Sequence, residues 1–221
     1  YLVQLQKKYA VDLVATSVIE VRDFQSEDFS GSLTNIDSLK LDRYTALKEM
    51  FYGNIVGTHP GGKLYKKEIL LKFPFPEDMI YEDLAVSFEH IGACNEIAVG
   101  CINLYKYYRR PGSIVNSSYS DKFLDFYKAI EINREFVQRD YPNDKEMKKA
   151  LTVRYVFKGL HVVHAMLSSG MYEEINKIRK EYTRYFNDII PNPNITGKNK
   201  VKYLLFLCSS KLYNAVRRKV G

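Results

Sequence analysis

Several features are scarce or missing in this sequence, and each absence excludes something. Cys94, Cys101 and Cys208 are an odd number of cysteines with no CxxC pair or metal-like spacing. That excludes a disulfide framework and a zinc site and predicts three reduced thiols in or near the core. No apolar run approaches the ~20 residues that cross a bilayer. The N-terminus lacks the basic stretch, apolar run and small-residue cleavage site of a secretory signal, so a cytoplasmic location is expected. No internal repeat, low-complexity tract or recognised nucleic-acid motif occurs. Acidic residues are absent between Lys198 and Gly221, where Lys198, Lys200, Lys202, Lys211, Arg217, Arg218 and Lys219 carry seven positive charges, equal to the net +7 of the whole chain. The remainder is neutral on balance. A localised electrostatic contact at the C-terminus fits this better than a distributed nucleic-acid surface, so no nucleic acid is expected as a partner.

With 46% hydrophobic residues in 221, the chain can bury a substantial core in one or two domains. Tyr1 to Ala10 carries Leu2, Leu5 and Tyr9 on one helical stripe. Because the chain opens on Tyr1 inside an element, it is expected to be a piece of a longer protein. Val11 to Val18 is a β-branched run suited to a buried strand, which Ile19 to Phe24 continues or pairs with. A polar loop follows over Gln25 to Ser38, and Asp42 is placed to cap a helix reaching about Tyr52. Gly57-Thr58-His59-Pro60-Gly61-Gly62 permits sharp turns and close backbone approach. Lys63 to Phe73 reads as a short strand or turn leading into a helix, and Pro74 and Pro76 break it. Leu84, Phe88 and Ile91 mark a helix from about Ile80, with Glu82 and Asp83 in its first turn. Two short strands, Ile97 to Cys101 and Asn103 to Tyr108, end in a turn at Arg109-Arg110-Pro111-Gly112-Ser113. Helices are predicted over Asp121 to Asp140, Lys145 to Ser169, Tyr172 to Phe186 and Lys200 to Lys219.

Three segments in order carry a resemblance: Gly62-Lys63-Leu64-Tyr65-Lys66-Lys67; Phe75-Pro76-Glu77-Asp78-Met79-Ile80-Tyr81-Glu82-Asp83-Leu84; and Tyr105 to Ile114 (YKYYRRPGSI). Together they resemble family 2 glycosyltransferases of the GT-A fold, much as in bacterial capsule and exopolysaccharide enzymes. The resemblance covers about Tyr1 to Tyr141. It implies a truncated α/β GT-A fold grading into a mostly helical C-terminal region, with an acceptor-side remainder over residues 1–118 and a helical region over 119–221. It also implies an inverting sugar transfer from a nucleotide-sugar donor to a polysaccharide or lipid-linked acceptor. No Asp-x-Asp occurs in the sequence. The implied divalent metal, Mn or Mg, and the nucleotide-binding strands would therefore have their residues mostly outside this chain, which alone would be inactive. A sheet missing those strands would expose an edge open to self-association.

An acceptor hydroxyl is a poor nucleophile near neutral pH, so a carboxylate must take its proton. The resemblance gives that role to Asp83, with Glu82 as its neighbour or an acceptor ligand. Read alone, the pair are ordinary first-turn acids favoured by the helix dipole. Arg109 and Arg110 are candidates to hold a diphosphate, since guanidinium forks match phosphate oxygens; adjacent strand residues face opposite ways, so one of them, by preference Arg109, would reach a ligand. Lys63 is a candidate contact for phosphate or acceptor, and His59 for a metal or acceptor. Tyr65 reads as core rather than site. His161 and His164 lie one helical turn apart amid Leu160, Val162, Val163 and Met166, where core packing is the better reading than a metal site.

The last predicted helix mixes Tyr203-Leu204-Leu205-Phe206-Leu207-Cys208, Leu212, Tyr213, Ala215 and Val216 with basic residues. It reads either as an interfacial helix, with residues 198–221 on the anionic inner face of the cell membrane, or as a helix packed on the domain. A noncatalytic membrane-associated or protein-binding helical module is the alternative to an enzyme.

Overall fold

The computed structural model describes residues 1–21, 37–108 and 119–220. The chain is a mixed α/β structure in which a four-stranded sheet is followed by a run of helices. The β-branched run forms β1 (Leu13–Val21), which lies parallel to β4 (Glu96–Tyr108). Antiparallel strands flank the pair: β3 (Lys63–Tyr65) on β1 and β2 (Ser38–Asp42) on β4, giving the order β2-β4-β1-β3. Successive strand side chains point to opposite faces, and the alternation sorts the core in two. Leu13, Ala15, Ile97 and Val99 join the main core, while Val14 and Ala98 meet Val11 and Leu5 of α1 (Leu2–Tyr9) in a smaller cluster. One face of the sheet is thus covered by α1. The other packs on α2 (Arg43–Tyr52) and α4 (Glu82–Gly92), and between them α3 (Lys67–Lys72) contributes Ile69. Coverage on both faces explains why β1 reads as a continuous apolar run.

Two strand expectations change. β2 begins within what reads as the end of a polar loop, because an edge strand needs only one partner and little burial: Lys40 pairs with Glu96 at 2.9 Å across the edge. In place of two short strands there is one, β4. The pairing passes from Thr16↔Gly100 to Ser17↔Asn103 and then Val18↔Tyr105, so the extra residues of β4 are absorbed as a bulge instead of a chain break. This also corrects the cysteines. Cys94 is buried, but Cys101 at the bulge and Cys208 at a helix end are exposed.

The forecast cap holds: the Thr45 amide donates to Asp42 Oδ1 at 2.9 Å, and α2 ends on Gly53 in the left-handed conformation. After a short 3₁₀ turn come α5 (Asp125–Asp140) and α6 (Lys145–Ser168). The helix expected over Tyr172 to Phe186 divides into α7 (Tyr172–Tyr182), a 3₁₀ turn and α8 (Phe186–Ile189). That expected over Lys200 to Lys219 starts earlier, as α9 (Gly197–Cys208), because Thr196 Oγ1 caps it by accepting from the Asn199 amide at 3.3 Å. It then breaks at Ser209, whose backbone is extended, before α10 (Ser210–Val220). Tyr213 of α10 is buried, its ring 5.5 Å from Phe206 and 5.4 Å from His164, which also hydrogen-bonds its hydroxyl. The two histidines are therefore not core: His161 is exposed and His164 half-buried. Among the described residues, no helix is long and apolar enough to cross a membrane.

One core cluster runs from Leu13 and Phe88 through Phe126 and Leu160 to Tyr213, so the helical half and the sheet share an interior. α6 passes through it. A Cβ on its Gly159 would overlap the hydroxyl of the fully buried Tyr182, which donates to the Tyr155 carbonyl at 3.3 Å. Alanine normally gains about 1 kcal/mol over glycine in a helix, but displacing a packed tyrosine costs roughly 1–3 kcal/mol. Gly159→Ala is therefore expected to lower stability on balance, read as a lower urea midpoint with an unchanged slope; a rise would mean that Tyr182 can move freely.

Candidate active site

The glycine-rich loop Gly57–Gly62 is fastened at both ends. At its far end Gly62, at φ 73°, offers its carbonyl to the Thr16 amide at 2.9 Å and the Thr16 hydroxyl at 3.0 Å. The ring of Tyr105 lies so close over Gly61 that a Cβ there would overlap it. At its near end Thr58 meets the first turn of α4. The Thr58 hydroxyl donates to Asp83 Oδ2 at 2.8 Å, while its carbonyl accepts from Ser87 Oγ at 2.7 Å and from the Lys63 ammonium at 3.2 Å. The Leu84 amide donates to Asp83 Oδ1 at 2.7 Å. Asp83 is thus oriented by a buried hydroxyl and a helix N-terminus, which favours negative charge there.

Entry into α4 is conformationally special. Tyr81, just before Glu82, has φ 67°, a region costly for a bulky residue. Its neighbours hold it: the Ile80 amide donates to Asp125 Oδ2 at 3.2 Å, Lys128 grips Asp125 at 2.7 Å, and the Tyr81 ring sits edge-on to Phe126 at 5.7 Å. The helical half thereby sets the angle at which Glu82 and Asp83 are presented. Glu82 is half-buried and makes no hydrogen bond or ion pair among the described residues.

Around Asp83 stand groups whose titration is displaced mainly by burial. The Lys63 stem is half-exposed, but its ammonium turns inward onto the Gly57 and Thr58 carbonyls. Burial lowers its pKa to about 7, with Asp83 opposing the shift and Arg154 adding to it. Burial, helped by Lys63 and opposed by Asp83, takes His59 down to about 4, and its buried Nε2 has no hydrogen-bond partner. The imidazole is neutral at pH 7. Burial and then Asp83 raise Tyr65, whose buried hydroxyl also lacks a partner, and raise Tyr81 to about 12. Both phenols stay protonated donors. Arg154, from the middle of α6, is buried; one of its terminal nitrogens donates to the Met50 carbonyl at the C-terminus of α2.

Asp83, Glu82, Lys63 and His59 therefore come together at the N-terminus of α4, as do Thr58 and Tyr65. Tyr65 is half-buried, its ring edge-on to His90 at 5.3 Å, and Asp83 acts on it electrostatically, so it borders the site as well as the core. Arg109 and Arg110 lie outside the described residues. Sequence reasoning missed Thr58, Tyr81 and Arg154. A signal existed only for the last, a lone arginine in the apolar stretch Leu151 to Val156 of α6. Among the described residues no group of three or more His, Cys, Asp or Glu could hold a metal.

No protein-family model matches the chain, and no curated protein matches it. The geometry alone carries the chemistry: an oriented carboxylate beside a neutral imidazole, two protonated phenols and buried cations. Such a site can accept a proton from a bound hydroxyl and hold polar groups next to it.

His59 also ties stability to pH. Its folded pKa of about 4 lies below the ordinary 6.5, so the unfolded chain takes up a proton first as pH falls. The contribution is complete above pH 6.5 and is lost down to about pH 4. His59→Gln is expected to remove roughly 1–2 kcal/mol of that acid-side decline, since solvent screening of the half-buried ring reduces the full linkage value, measured as the difference between urea unfolding free energies at pH 7 and pH 4. An unchanged difference would show that His59 protonates without cost in the folded protein.

Proposed function

We propose that this chain forms the acceptor side of an inverting glycosyltransferase of the GT-A type, with Asp83 as the general base. The single observation that carries the reading is Asp83 itself: a carboxylate at a helix N-terminus, oriented by Thr58 from a glycine-rich loop and faced by Lys63, His59 and Tyr65. The family resemblance, which gives the general-base role to Asp83, supports the same reading. In the reaction the acceptor hydroxyl gives its proton to Asp83 as its oxygen bonds to the donor's anomeric carbon. The bond from that carbon to the diphosphate breaks, and the nucleoside diphosphate leaves with the electron pair. Attack from the side opposite the leaving group inverts the centre. Thr58 positions the base, Glu82 is free to accept a second acceptor hydroxyl, and Lys63 and His59 line the polar wall.

The partners in this reading are a nucleotide sugar and a saccharide or lipid-linked acceptor. A peripheral position on the inner face of the cell membrane is supported by Val201, Leu204 and Leu212, which are exposed on α9 and α10 near Lys198 and Lys211. The same residues favour, as a second reading, a noncatalytic membrane-associated or protein-binding module.

The complete gene product, assayed with a panel of nucleotide sugars in Mn²⁺ or Mg²⁺, separates the two readings. Asp83→Asn should lower kcat by at least about a thousandfold with donor affinity retained, and Thr58→Ala by about tenfold to a hundredfold, in line with general-base and positioning losses. Full activity in Asp83→Asn would remove the assignment. A protein that neither binds nor turns over any donor would favour the noncatalytic module.

A further inference from the structure

A groove outside the candidate active site runs between α5 and α6, with Tyr185 of the 3₁₀ turn after α7 also in its wall. Its volume is about 630 Å³, within the ~300–1,000 Å³ usual for small-molecule sites. None of its lining residues belongs to the loop Gly57–Gly62 or to α4. The floor is apolar: Val137 of α5 and Leu151 and Tyr155 of α6 are buried. The Tyr185 ring stands at 89° to that of Tyr155, with centroids 5.9 Å apart, so the two rings make a corner. The rim is polar. Glu131, Glu135 and Gln138 are exposed and recur along α5 at i, i+4 and i+7, which places them on one helical face.

Most of the groove's polar side chains are already committed elsewhere. Arg134 pairs with Glu131 at 3.0 Å and lies over the Tyr155 ring at 5.0 Å. Arg139 pairs with Glu89 at 3.1 Å and with Asp140 at 2.7 Å, and the Lys148 ammonium donates to the Pro142 carbonyl at 2.6 Å. Glu181 accepts from the Tyr155 hydroxyl at 2.7 Å and from that of Tyr185 at 3.4 Å, which fixes the corner. Glu135 and Gln138, by contrast, make no hydrogen bond or ion pair among the described residues. Their carboxylate and amide are the polar groups left for a ligand.

Charge and polarity then decide what kind of ligand fits. Each arginine has its own carboxylate, and in sum Lys148 offsets Glu135, so the groove presents no net charge to draw in an ion. A purely apolar ligand would bury the carboxylate and the amide without partners, which is costly. A pyranose ring has the matching character. Its faces carry C–H bonds that pack on an aromatic ring, and its edge carries hydroxyls that donate to a carboxylate and accept from an amide.

We propose that the groove between α5 and α6 binds a neutral saccharide, with a sugar face on Tyr185 and hydroxyls on Glu135 and Gln138. The site is built from the helical half alone and does not depend on the glycosyl-transfer reading. In a sugar-transferring enzyme it is a second hold on a glycan, and in a noncatalytic module it is the binding site itself.

NMR titration of the isotopically labelled protein with maltohexaose, cellohexaose and N-acetylated chitohexaose reads the site residue by residue. Saturable shifts are expected with at least one of them, centred on the Gln138 side-chain amide and the Thr152 backbone amide of the groove. The double variant Glu135→Ala/Gln138→Ala removes two exposed side chains that hold nothing else, so it should fold normally and raise the Kd for that saccharide at least about tenfold. Tyr185→Leu should weaken binding to a similar extent, whereas Glu173→Ala, exposed on α7, leaves it unchanged. No saturable shift with any of the three saccharides, or a Kd that the double variant does not alter, overturns the proposal. Binding lost in Asp83→Asn but kept in the double variant also overturns it, because the saccharide would then sit at the candidate active site.

Discussion

The parallel pairing of β1 with β4 is the constraint on which the rest of the molecule depends. Parallel neighbours cannot be joined by a tight turn, so the chain must travel away and return on the same side of the sheet. The glycine-rich loop, Lys63, Tyr65 and the first turn of α4 all lie on that excursion. The sheet then anchors it twice. Thr16 of β1 holds the end of the loop through Gly62, and β3 carries Lys63 and Tyr65 against the edge of β1. The loop is thereby a connection held at both ends, and Thr58 has one position from which to orient Asp83.

Charge is managed differently in the two halves of this arrangement. At the N-terminus of α4 a carboxylate is stabilised by a hydroxyl, an amide and the helix dipole, without a directly paired cation among the described residues. Lys63 instead spends its protons on two backbone carbonyls, and Arg154 on one at the C-terminal end of α2. Cations bonded to carbonyls keep their burial cost, which is why Lys63 titrates near neutrality. The site thus satisfies its carboxylate with a hydroxyl and an amide and its cations with backbone carbonyls, so no direct ion pair joins them among the described residues.

The helical half is more than a cover. Asp125 and Phe126 of α5 hold the backbone at Ile80 and the ring of Tyr81, so α5 supports the left-handed turn before Glu82. α6 supplies Arg154 and, through Gly159, the space that Tyr182 occupies. Burial of Tyr203, Phe206 and Tyr213 uses one side of α9 and α10 for packing, which leaves Val201, Leu204 and Leu212 as their outward apolar residues.

Local chemistry was legible in the sequence wherever one residue type decides the backbone or the face. Asp42 announced its helix, the β-branched run its buried strand, the glycines their loop, and the acidic pair the start of α4, because capping, alternation, turn geometry and helix dipoles act within a few residues. Elements that depend on a distant partner were not legible. β2 exists because β4 offers an unpaired edge, the continuity of β4 depends on a bulge against β1, and Cys101 is exposed for the same reason. Of the site, the sequence by itself determined that Asp83, Glu82, Lys63 and His59 were available. Only the tertiary structure decided that Thr58 orients the carboxylate, that Tyr81 bends the chain into it, and that Arg154 arrives from α6, 71 residues further along the chain from Asp83. Hydrogen bonds and burial between segments so far apart leave no local pattern, since each residue's role is set by a neighbour that the chain reaches only on folding.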